Sequence, residues 1–207
     1  MSVKTTLNYS PNFVFKKRKK KQIKFLIFHY TGMKRENEAI QKLTKIQSVV
    51  SIHYFVKKNG KIITMVPELY TAWHAGISKW GIYKFLNKNS IGIEISNPGH
   101  QFGYVNFSKQ QIKSLIKLSK FLISKYKIKK NCLLGHSDIA PDRKLDPGEK
   151  FPWMLLSQNK IGIWHNLGKK KLNFLRHKKV SVRENNLFMK NLRKLGYANT
   201  STFIKNK

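Results

Sequence analysis

The chain predicts an α/β fold, a central β-sheet with helices packed on it. Three observations point there. Short apolar runs rich in strand formers recur along the chain, stretches with helical spacing of apolar residues alternate with them, and no internal repeat interrupts the alternation.

Taken in order, residues 1–22 read as an extended arm, because Pro11 and six adjacent cations at 16–21 argue against a packed element. Such a run binds phosphates or is simply solvated. Residues 24–28 (KFLIF) form a nearly continuous apolar run, the mark of a buried strand, with His29 at its C-terminal end. Residues 35–46 read as a helix with Ile40, Leu43 and Ile46 on one face. Residues 52–57 and 61–66 flank Asn59-Gly60, a type I′ hairpin signal. Residues 67–89 lack periodicity but carry Trp73, Trp80 and Tyr83, so they read as a long functional loop. Residues 90–96 alternate Ile91, Ile93 and Ile95 with Gly92 and Glu94, a strand pattern.

Ser108 is a good N-cap for the clearest helix, whose apolar face is Ile112, Leu115, Ile116, Ser119, Leu122, Ile123 and Tyr126. Residues 131–134 make another short strand that ends at Gly135-His136. Two prolines, a glycine and three aspartates make 137–150 a loop, and 151–156 begin a short helix. From residue 168 the composition turns basic and polar, with one further helix expected over 182–195, its apolar face Leu187, Phe188, Leu192 and Leu195.

The 207 residues suit one domain with a small appendage, and 41% hydrophobic content suffices for a core. Forty-two Lys and Arg against nine Asp and Glu give a net charge of +33. That charge attracts polyanions non-specifically, or it reflects a lysine-rich compositional bias spread along the whole chain. No nucleic-acid motif accompanies it, so sequence-specific nucleic-acid binding is not expected. The single cysteine, Cys132, excludes an intramolecular disulfide and reads as a buried core thiol. No apolar run approaches the ~20 residues of a membrane span. No signal-peptide pattern opens the chain, so a cytoplasmic location is expected, with a periplasmic or envelope-associated one as the alternative. The protein is expected to act as a monomer.

Three residues invite chemistry. His29 and His136 end buried strands, and Glu94 stands in a third between two isoleucines. Ends of strands in α/β sheets commonly build sites, and an apolar setting raises a carboxylate's pKa or invites a cation. Asp138, Asp142 and Asp146 follow His136, and two histidines with one aspartate would hold a catalytic zinc with one position left for water. Spacing does not choose among the three aspartates. Lys144, two residues before Asp146, is a candidate to stabilise an oxyanion or an ordinary solvated lysine.

Six segments in order, FHYTGM at 28–33, SIHYFV at 51–56, AWHAG at 72–76, NSIGIE at 89–94, GHSDIAP at 135–141 and RKLDPG at 143–148, resemble the zinc-dependent N-acetylmuramoyl-L-alanine amidases of the type-2 family, relatives of the peptidoglycan recognition proteins. The resemblance covers residues 23–156. It implies a central mixed β-sheet flanked by helices, with a catalytic domain over 23–167. It also implies one Zn2+ per chain on His29, His136 and Asp146, with Glu94 as acid/base and Lys144 steadying the oxyanion. His74 matches a substrate-contacting position, and Trp73, Tyr30, Asn97 and Arg143 are the further substrate contacts expected beside it. The substrate implied is peptidoglycan or a muropeptide, cut between the lactyl group of N-acetylmuramic acid and L-alanine in cell-wall turnover or recycling. A non-catalytic peptidoglycan-binding protein on the same fold is the alternative. Residues 168–207 form a basic extension that faintly resembles the start of a helical peptidoglycan-binding module, here a truncated remnant or a packing helix.

Overall fold

The apolar run at 24–28 supplies the first four residues of β3 (Phe25–Tyr30) in the computed structural model, which describes residues 3–198. Before it come β1 (Thr6–Leu7) and β2 (Phe13–Val14), and after it α1 (Glu36–Thr44), β4 (Tyr54–Val56), β5 (Ile62–Thr64), β6 (Thr71–Ala72), β7 (Lys79–Trp80), β8 (Tyr83–Lys84) and β9 (Ser90–Ile95). The chain continues through α2 (Lys109–Tyr126), β10 (Leu133–Gly135), α3 (His136–Ile139), α4 (Trp153–Gln158), α5 (Lys169–His177) and α6 (Val182–Leu195). Six strands form one mixed sheet in the order β1-β5-β4-β9-β3-β10, antiparallel only between β4 and β5. β2 pairs with β6 and β7 with β8 in two small ribbons.

Strand alternation divides the core. Leu26, Phe28, Ile91, Ile93 and Ile95 face α2, where Leu115, Leu118 and Leu122 meet them. Phe25, Ile27 and Leu134 face the other way, onto Ala75, Trp80, Leu86 and Ile139. α1 covers a third cluster with Ala39 and Leu43 over Ile52, Phe55 and Met65. In α2 the Ser108 hydroxyl accepts from the Gln111 N–H, and the Gln111 side chain accepts from the Ser108 N–H, a reciprocal cap. Its buried stripe runs through Leu115, Leu118, Ser119, Leu122 and Tyr126, a slight rotation from the expected face that leaves Ile112, Ile116 and Ile123 as half-buried flanks.

Four expectations are corrected. The turn between β4 and β5 is not type I′, because only Gly60 takes a positive φ (82°) while Asn59 does not. Gly60 N–H closes onto Lys57 O, and the Asn59 side chain accepts from Lys61 N–H, a tight turn followed by a glycine bulge. A Cβ at Gly60 would stand 2.7 Å from Gln110 O. Cys132 is half-buried rather than a core thiol.

The N-terminal segment from residue 3 onward is packed, not a free arm. Asn12 bridges Lys45 O and Val50 O, and Arg18 is 7% exposed inside its run of solvated lysines. Its guanidinium donates to Glu68 O through Nε and Nη2 and to Asn87 O through Nη1. A planar fork reaches those carbonyls together, which a lysine ammonium on a flexible stem does not.

The fourth concerns the C-terminal region. α6 spans the expected residues, but neither α5 nor α6 contains a buried residue, and Leu187 and Phe188 are exposed. The region attaches instead through its end. Gly196 O accepts from Gly81 N–H, and Tyr197 stacks edge-on against Trp80 and donates its hydroxyl to Asp138. Trp164, Leu195 and Tyr197 border one cavity of about 190 Å³ with Trp80 and Trp153.

The Arg18 contacts give a direct contrast. Arg18→Ala leaves buried carbonyls unpaired and should lower unfolding stability by about 3 kcal/mol in urea melts. Lys16→Ala in the same run should change it by less than about 0.5 kcal/mol.

Candidate active site

β3 pairs in parallel with β9 over its whole length, with His29 opposite Glu94. It pairs with β10 through Phe28 opposite Gly135, so His136 follows at the same sheet edge. The carboxyl ends of three adjacent parallel strands thus deliver two imidazoles and a carboxylate to one place, the usual position for a site in such sheets. The loop after α3 brings a second carboxylate, that of Asp146. Asp146 O accepts from Ser137 N–H at 2.8 Å, which pins the loop beside His136.

His29 Nδ1 lies 2.9 Å from His136 Nδ1, and each lies 3.0 Å from Asp146 Oδ2. All three residues are buried, at 3%, 3% and 7% exposure. His136 Nε2 faces the Ala75 carbonyl at 3.3 Å. A carbonyl only accepts, so the proton of a neutral His136 is on Nε2 and its Nδ1 presents a lone pair. Two ring nitrogens and a carboxylate oxygen converging in a nearly dry space form a donor set for a small divalent cation, and all three ligand atoms lie within 4.8 Å of one another. Among the described residues no other group of His, Cys, Asp and Glu is so arranged.

The electrostatics fit a cation site. Burial, and then the charge of His136, lower His29 to about 4. Burial alone would raise Asp146, but the contacts with His136 and His29 outweigh it and hold the carboxyl below the usual range. Of the three aspartates, only Asp146 joins the pair. Asp138 accepts from Gly135 N–H and from Tyr197 at the start of α3, and Asp142 is exposed.

Glu94 lies in the same cleft of about 360 Å³ as His29, His136, Asp146 and Lys144. Its carboxylate accepts no hydrogen bond among the described residues. Desolvation, reinforced by the charge of Asp146 and opposed by Lys144 and Lys42, pushes it up to about 8. A carboxyl poised near neutrality with no structural partner is suited to moving a proton. Lys144 lines the cleft, and its ammonium has no hydrogen-bond or ion-pair partner among the described residues.

The expected substrate contacts sort differently. Tyr30 lines the cleft, its hydroxyl 2.8 Å from His100 Nδ1, and His100 in turn meets Glu149. Arg143 lines it too, but its guanidinium donates to the Ala75 and Ile77 carbonyls and so braces the loop before β7. His74 lines the cleft with both ring nitrogens engaged inside the protein, by His29 Nε2 and Ser90 Oγ. Asn97 is 3% exposed, bonded to Val105 O and Gly99 N–H, and is not in the cleft wall. Trp73 is also outside that wall, its backbone tied to Ser51. Lys42 and His100 line the cleft without having been singled out from the sequence. Among 42 Lys and Arg no lysine stands out, and His100 falls in no recognisable motif.

The chain matches the family Amidase_2, N-acetylmuramoyl-L-alanine amidase, over residues 19–149. The N-acetylmuramoyl-L-alanine amidase AmiD of Escherichia coli is 44% identical over 155 residues, 69% of this chain and 55% of that protein. The 1,6-anhydro-N-acetylmuramyl-L-alanine amidase AmpD of Haemophilus influenzae is 38% identical over 108 residues, 52% of this chain and 56% of its own. The chain therefore spans a little over half the length of these curated relatives. Among solved structures, E. coli AmiD in complex with the substrate anhydro-N-acetylmuramic acid-L-Ala-D-gamma-Glu-L-Lys superposes with a TM-score of 0.73 at 36% identity, over 86% of this chain and 72% of that one. AmpDh3 of Pseudomonas aeruginosa in complex with anhydromuramic pentapeptide gives 0.75 at 31%, over 86% and 75%. The match across residues 19–149, which takes in every residue of the His29–Glu94–His136–Asp146 cleft, makes this chain a member of the N-acetylmuramoyl-L-alanine amidase family.

Proposed function

We propose that the chain is a zinc-dependent amidase that hydrolyses the bond between the lactyl group of N-acetylmuramic acid and L-alanine, acting on peptidoglycan-derived muropeptides in cell-wall turnover or recycling. The observation that carries this reading is the convergence of His29 Nδ1, His136 Nδ1 and Asp146 Oδ2 beside Glu94 and Lys144 in one cleft. The names and bound substrates of the relatives support the choice of bond. Residues 23–167 are the catalytic unit in this reading, with the packed N-terminal segment as part of its scaffold.

His29, His136 and Asp146 would hold the zinc, which when bound acidifies a water molecule and polarises the amide carbonyl. Glu94 then has two tasks. Ionised, it takes the proton of the attacking water. Protonated, it hands that proton to the leaving nitrogen of L-alanine. Its elevated pKa suits both halves of that cycle. Lys144 places its ammonium in the same cleft to meet the negative charge that develops on the carbonyl oxygen. Lys42 adds positive charge at the wall, where the carboxylates of a stem peptide are attracted.

Zinc-loaded protein incubated with soluble muropeptides should release free stem peptide and free amino sugar, read by mass spectrometry. A chelator should abolish release and added zinc restore it, whereas intact muropeptide throughout would leave a binding protein. Glu94→Gln should bind zinc as wild type does and lose roughly 10²–10⁴-fold in kcat, in steady-state kinetics. A third outcome concerns the metal-free protein. Glu94 is raised from 4.5 to about 8, so the folded chain holds a proton that the unfolded chain releases. Stability from this group is full below about 4.5 and lost as pH rises through about 8. Urea melts of metal-free Glu94→Gln against metal-free wild type should therefore show the variant gaining relative stability across that window. A difference independent of pH would mean that Glu94 does not titrate there.

A further inference from the structure

His29 Nε2, on the side of the ring away from Asp146, lies 3.0 Å from His74 Nδ1. His74 Nε2 lies 3.2 Å from Ser90 Oγ, and the Ser90 hydroxyl donates to Leu86 O at 2.7 Å. Ser90 is fully buried. The run ends on a carbonyl, which only accepts, and this gives the protons a direction. With the Ser90 proton on Leu86 O, its oxygen accepts from His74 Nε2–H. His74 Nδ1 is then an acceptor, and His29 donates to it through Nε2–H. That leaves His29 Nδ1 with the lone pair that a cation requires. From His29 Nε2 to Leu86 O each polar atom is satisfied in this arrangement and no proton is left over.

The surroundings hold His74 in place. Its own N–H and that of Ala75 both donate to Asn87 Oδ1, at 3.0 and 2.7 Å. Gly92 of β9 lies beneath the ring, where a Cβ would come within 2.6 Å of it. The His53 ring packs edge-on against it with centroids 5.5 Å apart. Nothing in this arrangement turns a ring nitrogen toward the cleft.

We propose that His74 is a positioning residue for the metal centre. Through the run His29–His74–Ser90–Leu86 carbonyl it fixes the tautomer and ring angle of His29, and so sets zinc affinity rather than gripping substrate. The proposal rests on His29 being a zinc ligand. Groups that hold the far nitrogen of a ligating histidine typically change metal affinity about 10- to 100-fold when removed.

The test uses the full chain and measures zinc affinity by competition with a chromophoric chelator, alongside kcat and KM for a muropeptide at saturating zinc. His74→Leu should weaken zinc binding by roughly 10- to 100-fold with KM little changed. His74→Asn keeps an acceptor oxygen where Nδ1 stands and should recover most of that loss. Ser90→Ala should weaken zinc binding in the same direction by a smaller factor, and the His74→Leu/Ser90→Ala double variant should be no weaker than His74→Leu alone. If His74→Leu fails to fold, Ser90→Ala and His74→Asn decide by the same criteria. Zinc affinity within about twofold of wild type in His74→Leu, or in Ser90→Ala if that variant must stand alone, would overturn the proposal, and a raised KM would return His74 to substrate contact. His29→Ala separates the two levels. If it loses zinc while His74→Leu does not, only the positioning role fails. If it keeps zinc, the ligand assignment fails and the proposal with it.

Discussion

The parallel pairing of β3 with β9 runs unbroken from Phe25–Ser90 to Tyr30–Ile95, and both the core and the cleft depend on its register. Paired residues of parallel strands share a face. Leu26 and Phe28 therefore enter the core beside Ile91 and Ile93, while Phe25, Ile27 and His29 stand beside Ser90, Gly92 and Glu94 on the other face. A slip of one residue would send Glu94 into the apolar layer under α2 and bring an isoleucine up beside His29. Small and polar residues on the second face of β9 are what let the loop bearing His74 lie close against the sheet. At Gly92 even a methyl group would meet Ile52 Cδ1 at 2.5 Å and the His74 ring at 2.6 Å.

Against this scaffold the scarcity of acids is informative. A chain with nine acidic residues places most of them where each holds something. Glu68 receives the hydroxyls of Tyr54 and Tyr126 and the Lys125 ammonium, Glu36 meets Lys57, and the Glu184 carboxylate accepts from Ser181 N–H at the start of α6. Asp138 ties α3 to Tyr197. Glu94 differs from these in being desolvated without a hydrogen-bond partner among the described residues, and its raised pKa follows first from that desolvation. The surrounding excess of lysine does not neutralise it, because Lys144 and Lys42 oppose the shift without cancelling it.

What could be read from the sequence was whatever local pattern encodes. The alternation of Ile91, Ile93 and Ile95 marked β9 and left Glu94 on the opposite face, and Ser108 announced the start of α2. The alternation of strands and helices indicated the layered sheet, and the resemblance added its mixed character and singled out Asp146, which lies with His29 and His136 while Asp138 and Asp142 do not. What could not be read were partnerships across long sequence separations. Arg18 was indistinguishable from the lysines around it, because its carbonyl partner at Glu68 lies 50 residues away. The Asn59-Gly60 dipeptide marked a turn without specifying which, since the bulge depends on the backbone of α2 lying against Gly60. The loop histidine was visible as part of a motif, but the direction of its two nitrogens depends on the local Ser90–Leu86 bond, which His74 meets only when its loop packs against the start of β9.

The attachment of Tyr197 has a topological consequence. Trp164 and Tyr197 border the same small cavity, so the chain between them leaves the folded body and returns to nearly the same spot. The two helices of that excursion bury none of their own residues. Its contribution to folding is then governed by the entropy of closing a loop, which grows only logarithmically, at about 0.6 kcal/mol for each doubling of length. Segments of quite different size and character could be exchanged at this point without disturbing the sheet or the cleft, which makes the excursion a natural insertion point in an otherwise tightly registered architecture.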